Sequence, residues 1–472
     1  MSITSLTNEA MINTTASNES KDFWAMDKDH FIHPYTDFSN FKDEGSQVIS
    51  KAEGAYVFDR EGKRYLDGIA GLWCVNIGHG RKEMAEAIAN QVLEMQYYNP
   101  FGHSTNEPAA ELAAKLAELA PGSLNHVFYG CGGSVANDTA VRMAHFYFNQ
   151  LGKPAKKKII SRMDGYHGST YLASALTGIT GTKYGFDSAQ DVVEYISAAN
   201  MYRRPVGTEE LSEAKYCDFL INEFENRILQ LGPDNVAAFI AEPIMGAGGV
   251  LVAPEGYHAR MYEVCKRYDM LYIADEVVTA FGRLGAMVAS EEIYGCTPDM
   301  LCMAKGLTSG YIPLGVTMIS DEVYSVISQP QCEGGLFTHG FTYSGHPVAC
   351  AAALKNIQIM EEEGLCDHVK NVGSYFYQQM RTLLDLKIVG DVRGSHFMVG
   401  VELVSDKNSK TSFEVSDNIS MRIFNRCLEK GVIIRPVGNV LVLSPPLILT
   451  AEQCDTIVEA LQTSIKEVME EL

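Results

Sequence analysis

The stretch that decides the fold is residues 271–310, which read LYIADEVVTAFGRLGAMVASEEIYGCTPDMLCMAKGLTSG. It holds two short segments that are apolar throughout, Leu271–Ala274 and Met300–Met303, and such segments are typical of strands buried on both faces. Asp275 and Glu276 follow the first segment, and Lys305 ends the second one, 305 − 275 = 30 positions after Asp275. Ligands of open α/β sheets bind outside the carboxyl ends of the strands, so these three side chains are predicted to project into a binding crevice.

Apolar segments also alternate with helical patterns through the rest of the middle of the chain, at His126–Tyr129, Lys158–Ser161, Ala237–Ala241 and Gly315–Ile319. This alternation predicts an α/β architecture with a mainly parallel sheet. After Pro347 the pattern changes to a helix, mixed segments and a final helix, which predicts a second, smaller α+β domain. The predicted division is an N-terminal segment at 1–75 that joins the small domain, a large domain at 76–345 and a small domain at 346–472.

The composition is that of a globular protein, because 46% of the 472 residues are hydrophobic and 21% are charged. The net charge of 38 − 59 = −21 disfavours binding to nucleic acids and to anionic membranes. The 11 cysteines include no Cys-x-x-Cys pair, which favours reduced thiols in a cytoplasmic protein without a predicted metal site. The first twenty residues contain no Lys or Arg, and no apolar run approaches the ~18–20 residues of a membrane span, so neither a signal peptide nor a membrane segment is expected.

Lys305 and Asp275 together predict a cofactor site. Burial in a crevice lowers the pKa of a lysine from about 10.4 and makes the neutral amine available as a nucleophile. Pyridoxal phosphate requires such a lysine and an anionic partner at its pyridine nitrogen, where one close ion pair is worth up to roughly 4 kcal/mol. The competing interpretation is a solvated surface lysine and an exposed loop acid.

Two glycine-containing segments favour the same cofactor. FYGCGGSVANDTA, from Phe128, predicts a strand, a turn and a helix whose free N–H groups, with the Ser134 hydroxyl, form an anion site. Such turns are also common packing devices, and the Walker spacing is absent. In DGYHGST, Tyr166 is able to stack on a flat ring, although a Tyr166-His167 pair is more often structural.

The chain carries eight recognisable segments in order: LDGIAGLWCVNIGHG, GGSVANDT, YHGST, AEPIMGAGG, IADEV, FGRLG, AKGLTSGYIPLG and HGFTYSGHP. Together they resemble the class III aminotransferases of the fold-type I pyridoxal-phosphate group, and most of all their ω-transaminase (amine:pyruvate) branch. The resemblance runs from about His33 to the C-terminus.

The resemblance implies that Lys305 is the Schiff-base lysine and proton shuttle, and that Asp275 pairs with the pyridine nitrogen. Tyr166, also a catalytic residue by this resemblance, stacks on one face of the ring, and Val277 packs on the other. Thr342 reaches the phosphate from a second subunit, so a homodimer, or a tetramer built from it, has its active site at the subunit interface. The other implied cofactor contacts are Gly133, Ser134, His167, Glu242 and Phe341.

The implied substrate contacts are Trp73, Phe101, Ala247 and Arg435. Trp73 resembles the aromatic wall of the amine-using branch. Arg435 matches a mobile arginine that binds a substrate carboxylate and swings aside for apolar amines. The implied reaction moves an amino group from a small amine or ω-amino acid to a keto acid, pyruvate, in ping-pong half-reactions.

The sequence departs from the family pattern at several positions. The phosphate turn has Gly130-Cys131-Gly132 where hydroxyl-bearing residues are usual, which puts the phosphate affinity in doubt. Val135 replaces a Glu, and Gly102 replaces an aromatic residue, which is expected to widen the pocket for a longer amine. Ala280 and Leu284, in the FGRLG region, also depart from the family pattern. Neither change affects Lys305 or Asp275.

Three alternatives remain at the level of the sequence. One is a class III enzyme that uses 2-oxoglutarate with ornithine-like or 4-aminobutyrate-like donors, against which Trp73, Gly102 and Ala247 favour the amine branch. A second is an aminomutase, which shares every segment above. The third, a non-catalytic relative, is expected to have lost Lys305 or Asp275, and both are present. A nicotinamide-dependent enzyme is disfavoured because no G-x-G-x-x-G turn follows the first strand.

Overall fold

The computed structural model describes residues 22–331 and 335–472, so the expectation about a signal peptide in the first twenty residues lies outside the described part. The described residues form two compact units, one from 22–52 and Val57–Arg64, and the other from Glu53–Tyr56 and the described part of Tyr65–Leu472. In the described part of the first unit, the His33 Nε2 and the Ser46 hydroxyl lie 2.8 and 2.7 Å from one carboxylate oxygen of Asp27.

The strands are β1 Ile49–Glu53, β2 Tyr56–Asp59, β3 Arg64–Asp67, β4 Leu124–Gly130, β5 Lys158–Arg162, β6 Val193–Ile196, β7 Val236–Ala241, β8 Ile244–Met245, β9 Leu251–Val252, β10 Leu271–Asp275, β11 Met300–Met303, β12 Gly315–Ser320, β13 Val389–Ser395, β14 Met398–Leu403, β15 Val432–Ile433, β16 Arg435–Val437 and β17 Val440–Leu443. The α-helices are Phe23–His30, Phe38–Glu44, Ala70–Trp73, Lys82–Met95, Glu107–Leu119, Gly133–Gln150, Ala173–Leu176, Glu213–Leu231, Tyr257–Arg267, Ala289–Glu292, Asp321–Ile327, Pro347–Glu362, Leu365–His368, Ser374–Arg381, Ile419–Glu429 and Ala451–Glu470.

The second unit is built on a seven-stranded sheet with the order β4-β12-β11-β10-β7-β5-β6. Neighbouring strands run parallel except at β12, which is antiparallel to both of its neighbours. Every residue of β7, β10 and β11 is buried, because helices cover both faces of a sheet of this kind. The predicted α/β fold with a mainly parallel sheet is confirmed.

A smaller antiparallel sheet, β13-β14-β17-β16, lies in the C-terminal part of the chain. The predicted single segment Val432–Leu443 is divided here, because β15 pairs with β3 while β16 and β17 form a hairpin. Gly438, at φ +57°, supplies the backbone conformation that this turn needs. The pairing of β15 with β3 joins residues 66–67 to the C-terminal part of the chain. The domain boundaries at 75/76 and 345/346 stay a prediction.

Local sequence signals account for the helices beside the sheet. Asn106 begins the helix Glu107–Leu119 by accepting a hydrogen bond from the backbone N–H of Ala109 at 3.0 Å, and Pro347 occupies the first turn of its helix, where no N–H is required.

Within residues 22–331 and 335–472, no helix has the length and apolar character needed to cross a membrane.

Candidate active site

The carboxyl ends of four neighbouring parallel strands bring the predicted residues to one edge of the large sheet. Lys305 follows β11, Asp275 ends β10, Glu242 follows β7, and Tyr166 and His167 follow β5. This juxtaposition follows from the topology, because parallel strands end at the same edge.

Asp275 is buried and held by three donors. One carboxylate oxygen accepts a hydrogen bond from the Asn137 side-chain amide at 2.7 Å and faces the Nδ1 of His167 at 2.7 Å; the other accepts from the backbone N–H of Val277 at 3.1 Å. This arrangement fixes the position and orientation of the carboxylate. The Nε2 of His167 and the Oδ1 of Asn137 are buried and lack a hydrogen-bond partner among the described residues.

Glu242 is also buried, and each of its oxygens accepts one backbone N–H, from Tyr166 at 2.9 Å and from Gly246 at 2.8 Å. Burial raises the pKa of this carboxyl; His167 opposes the rise and the nearby Asp275 adds to it. Glu242 therefore links the Tyr166 loop to the loop that contains Ala247.

Lys305 lies at the start of a short 3-10 turn and has a φ of +48°. Burial lowers the pKa of its amine, and the carboxylates of Asp275 and Glu242 oppose the change without cancelling it, whereas the charge of Arg435 adds to it. A lysine with a lowered pKa is available as a neutral nucleophile at lower pH than an exposed one.

The prediction that Glu276 projects into the crevice beside Asp275 is wrong. Glu276 is fully buried and accepts hydrogen bonds from the backbone N–H groups of Ala289 at 2.8 Å and Ser290 at 2.7 Å, and from the Thr279 hydroxyl at 3.1 Å. Neighbouring residues at a strand end point to opposite sides, so only one of the two carboxylates faces the lysine.

The turn before the helix Gly133–Gln150 is shaped for close approach. A side chain at Gly133 would lie 2.8 Å from Val277, and one at Gly168 would lie 2.3 Å from the Ser134 hydroxyl, which accepts the backbone N–H of Ser169 at 3.1 Å. A side chain at Gly132 would meet no atom within 4 Å, so open space faces the start of this helix. The free N–H groups of a helix start suit an anion in that space.

The predicted substrate residues fall into two groups. Trp73 is buried against Gly246, where an added Cβ would lie 2.3 Å from the indole, and Ala247 is the next residue of this loop. Arg435 lies on β16, and its backbone is paired with Val442 of β17.

Phe101, the fourth predicted substrate residue, lies with the predicted cofactor contacts Phe341 and Thr342 among exposed or half-buried residues around positions 97–101 and 339–343. The Tyr97 hydroxyl donates to the carbonyl of Thr342 at 2.6 Å, Phe341 lies 5.2 Å from the His339 ring between centroids, and Phe101 is 56% exposed and faces Gly340. Thr342 itself is exposed in the single chain.

Sequence reasoning missed two residues of the site. Asn137 lies within the quoted segment GGSVANDT but was not assigned to Asp275, and Arg162, at the end of β5, donates to the carbonyl of Glu242. In the sequence, each of them is a polar residue within an otherwise apolar helix face or strand. Such a residue predicts a buried hydrogen bond but not its partner.

Comparison with known proteins agrees with this geometry. The model of the family described as aminotransferase class-III matches residues 39–465. The chain belongs to the class III aminotransferases. It is therefore a pyridoxal-phosphate-dependent enzyme that transfers amino groups, as the lysine and carboxylate at adjacent strand ends predicted.

Individual relatives differ in their substrates. The aminotransferase is 40% identical over 441 residues to a putrescine–pyruvate aminotransferase of Pseudomonas aeruginosa, an alignment that covers 93% of this chain and 95% of the relative. It is also 40% identical over 457 residues to a diaminobutyrate–2-oxoglutarate transaminase of Halomonas elongata, with 96% and 97% covered.

Solved ω-transaminases share the fold. The (S)-enantioselective ω-transaminase of Thermomicrobium roseum superimposes with a TM-score of 0.91 at 39% identity, over 95% of this chain and 98% of that one. The ω-transaminase of Pseudomonas jessenii in complex with PMP gives a TM-score of 0.92 at 38% identity, with the same shares covered.

Proposed function

We propose that this aminotransferase moves the amino group of a small amine or ω-amino acid to pyruvate in ping-pong half-reactions that use Lys305. The observation that carries the proposal is the lysine at the strand end, buried beside Asp275 and Glu242 and within the electrostatic influence of Arg435. A substrate amine and a substrate carboxylate thus find complementary groups at one site.

The described residues fit the cofactor. Asp275, held by His167 and Asn137, would present its carboxylate to the pyridine nitrogen, and Gly133 and Ser134, which follow the open space at Gly132, are assigned to the phosphate. Tyr166 and Val277 lie on the loops that would face the two sides of the ring. The remaining proposed contacts are His167, Glu242, Phe341 and Thr342.

The chemistry is divided between cofactor and chain. When bound, pyridoxal phosphate supplies the electron sink for bond breaking at the amino-bearing carbon. Lys305 takes and returns a proton at its Nζ, and its lowered pKa favours the neutral amine that accepts the proton. The Asp275 carboxylate would pair with the ring nitrogen, and the buried Trp73 restricts water at the side of the loop that carries Ala247.

Arg435 is proposed to bind the keto-acid carboxylate. A fixed, desolvated arginine would be costly beside an apolar amine, whereas a side chain that swings from a fixed backbone pairs with the acid and then returns to water. Pairing of Arg435 with Val442 across β16 and β17 fixes the backbone in this way. Phe101 and Thr342 are assigned to a homodimeric site, and a cytoplasmic location is part of the proposal.

The test is a panel of amines crossed with pyruvate and 2-oxoglutarate, followed through the cofactor absorption in each half-reaction. Arg435→Ala should slow the pyruvate half-reaction about 10–100-fold, since a charge-assisted hydrogen bond is worth roughly 1.5–3 kcal/mol. The half-reaction with a purely apolar amine should stay within about twofold, because no carboxylate is bound there.

The matched control is Arg422→Ala, which removes an arginine that pairs with Glu471 on the surface and should change neither half-reaction. Equal losses in both halves in Arg435→Ala would overturn the carboxylate assignment. Use of 2-oxoglutarate with little use of pyruvate would favour the alternative, for which the diaminobutyrate–2-oxoglutarate relative is the specific observation.

A further inference from the structure

The turn that carries Lys305 has an unusual backbone. Lys305 has a φ of +48° and Ser309 a φ of +49°, although neither is glycine. Residues with a side chain in this region cost of order 1 kcal/mol or more each, and the conformation persists only where neighbouring groups hold it. The hydrogen bonds inside the turn, Leu307 N–H to the Ala304 carbonyl at 3.0 Å and Thr308 N–H to the Lys305 carbonyl at 3.2 Å, are those of a short 3-10 segment.

Asn356, on the helix Pro347–Glu362, holds this turn from one side. Its side-chain amide donates to the carbonyls of Gly306 at 2.8 Å and Leu307 at 3.0 Å, and its Oδ1 accepts the Ser309 hydroxyl at 2.6 Å. The side chain is fully buried, so water does not replace these bonds. The amide orientation is fixed by its partners, because a flipped amide would place its oxygen against two carbonyls.

Asn76 closes the turn from the other side. A Cβ at Gly306 would lie 2.3 Å from the Nδ2 of Asn76, so the backbone of the turn packs directly on this side chain. Asn76 in turn donates to the Phe281 carbonyl at 2.7 Å and accepts from Arg283 at 2.9 Å. The turn after Lys305 therefore lies between two buried asparagine side chains.

We propose that Asn356 is a positioning residue for Lys305: by binding two carbonyls of the turn and the Ser309 hydroxyl, it keeps the amine directed into the crevice beside Asp275 and Glu242. This inference rests on the proposed role of Lys305. The buried environment that lowers the pKa of the amine exists only while the turn keeps this conformation. Without Asn356, three buried polar groups lose a partner and the turn relaxes toward ordinary backbone angles.

The experiment measures the reactivity of Lys305 in the full chain after an amine donor has converted the cofactor to its amine form and dialysis has removed it. Each lysine is labelled with a trace of acetic anhydride between about pH 7 and pH 11. Peptide mapping then gives the pKa of each lysine, which is compared with the ordinary value of about 10.4. Asn356→Leu keeps the number and branching of the side-chain heavy atoms, removes both donors and adds no charge. Ser309→Ala removes one hydroxyl of the same network. It tests the proposed role of this network if Asn356→Leu does not fold.

Asn200→Leu is the matched control, since this buried asparagine accepts the backbone N–H groups of Tyr202 at 3.0 Å and Arg203 at 2.9 Å in a different loop. Thermal unfolding of all variants shows how much stability each has lost.

In Asn356→Leu we expect the pKa of Lys305 to rise toward its ordinary value, so that its labelling near pH 8 falls at least about threefold, where one pKa unit is tenfold. Ser309→Ala should change it in the same direction by less, and Asn200→Leu should not change it. A Lys305 pKa equal to that of the unmodified sequence in both network variants would overturn the proposal and leave Asn356 with a purely structural role.

Failure of the proposed function gives a different result. If borohydride reduction of the enzyme with its cofactor labels another lysine, the role of Lys305 is wrong, while the acetylation profile still reports whether Asn356 controls the turn.

Discussion

Two consecutive carboxylates show how sharply function is divided at the scale of single residues. Asp275 faces His167 and Asn137 on the side of Lys305, whereas Glu276 binds the backbone at 289–290 and ties two segments of the chain together. Burial raises the pKa of Glu276, and its donors oppose this. The neighbours differ in role because one peptide unit turns their side chains in opposite directions.

Asp275→Asn should keep the fold and lose at least about a hundredfold in the rate of transamination. A neutral amide cannot hold the pyridine nitrogen protonated, and loss of such a preorganised charge costs several kcal/mol of barrier. Glu276→Gln is the control of equal shape. It should lose stability by about 1–3 kcal/mol, since one buried N–H then meets an amide N–H, while the rate stays within about threefold.

Rates and urea unfolding of both variants provide the comparison. An Asp275→Asn enzyme within about threefold of the original rate would show that the pairing with the pyridine nitrogen is misplaced.

At the scale of elements, the start of the helix Gly133–Gln150 depends on the loop that contains Gly168. Gly168 has a φ of +134°, and its Cα lies so close to Ser134 that a Cβ would approach the hydroxyl to 2.3 Å. The space that suits the phosphate is therefore shaped jointly by one helix start and one loop.

Gly168→Ala should weaken cofactor binding by at least about tenfold, because Ser134 must move and its contact with the Ser169 N–H is lost. Gly207→Ala is the matched control: it also places a side chain at positive φ, +86°, but meets no atom within 4 Å. Cofactor affinity is measured by fluorescence titration alongside the melting temperature. Equal cofactor affinity in the two variants would contradict the assignment of Ser134 to the phosphate.

Sequence patterns predicted the secondary-structure elements more accurately than the contacts between side chains. The strands β10 and β11 could be predicted within one residue, because a buried parallel strand is apolar throughout. β6 was missed because its sequence, VEYI, lacks such a run and it lies at the edge of the sheet. Lys305 and Asp275 could be selected as candidate site residues from their positions at strand ends. Asn137 and Asn356 could not, because their partners lie 138 and 50 positions away and depend on the packing of whole helices.

At the scale of the whole molecule, residues assigned to the site lie open in the single chain. Thr342 is exposed, Phe101 is 56% exposed and Leu72, next to Trp73, is 51% exposed. The proposed homodimer, in which Thr342 would contribute to the partner's phosphate site, would account for this exposure.

Dilution of the enzyme should release cofactor over the same concentration range in which the dimer dissociates, since a shared site links the two equilibria. Thr342→Ala should weaken cofactor binding severalfold without changing the mass of the assembly, which native mass spectrometry and cofactor absorbance report together. A monomer that retains cofactor, or a Thr342→Ala enzyme of unchanged affinity, would contradict the shared site.

Lys305 is proposed to carry the cofactor, and chemical reduction of the enzyme examines this assignment at the residue itself. Borohydride reduction of the intact enzyme followed by peptide mapping attaches the pyridoxyl group permanently to its lysine. The informative comparison is Lys156, which is also buried with a lowered pKa but donates to the carbonyls of Pro233, Val236 and Asp269 at 2.8–3.1 Å. We expect the label on Lys305 alone; a label on Lys156 or on any other lysine would rule out this assignment.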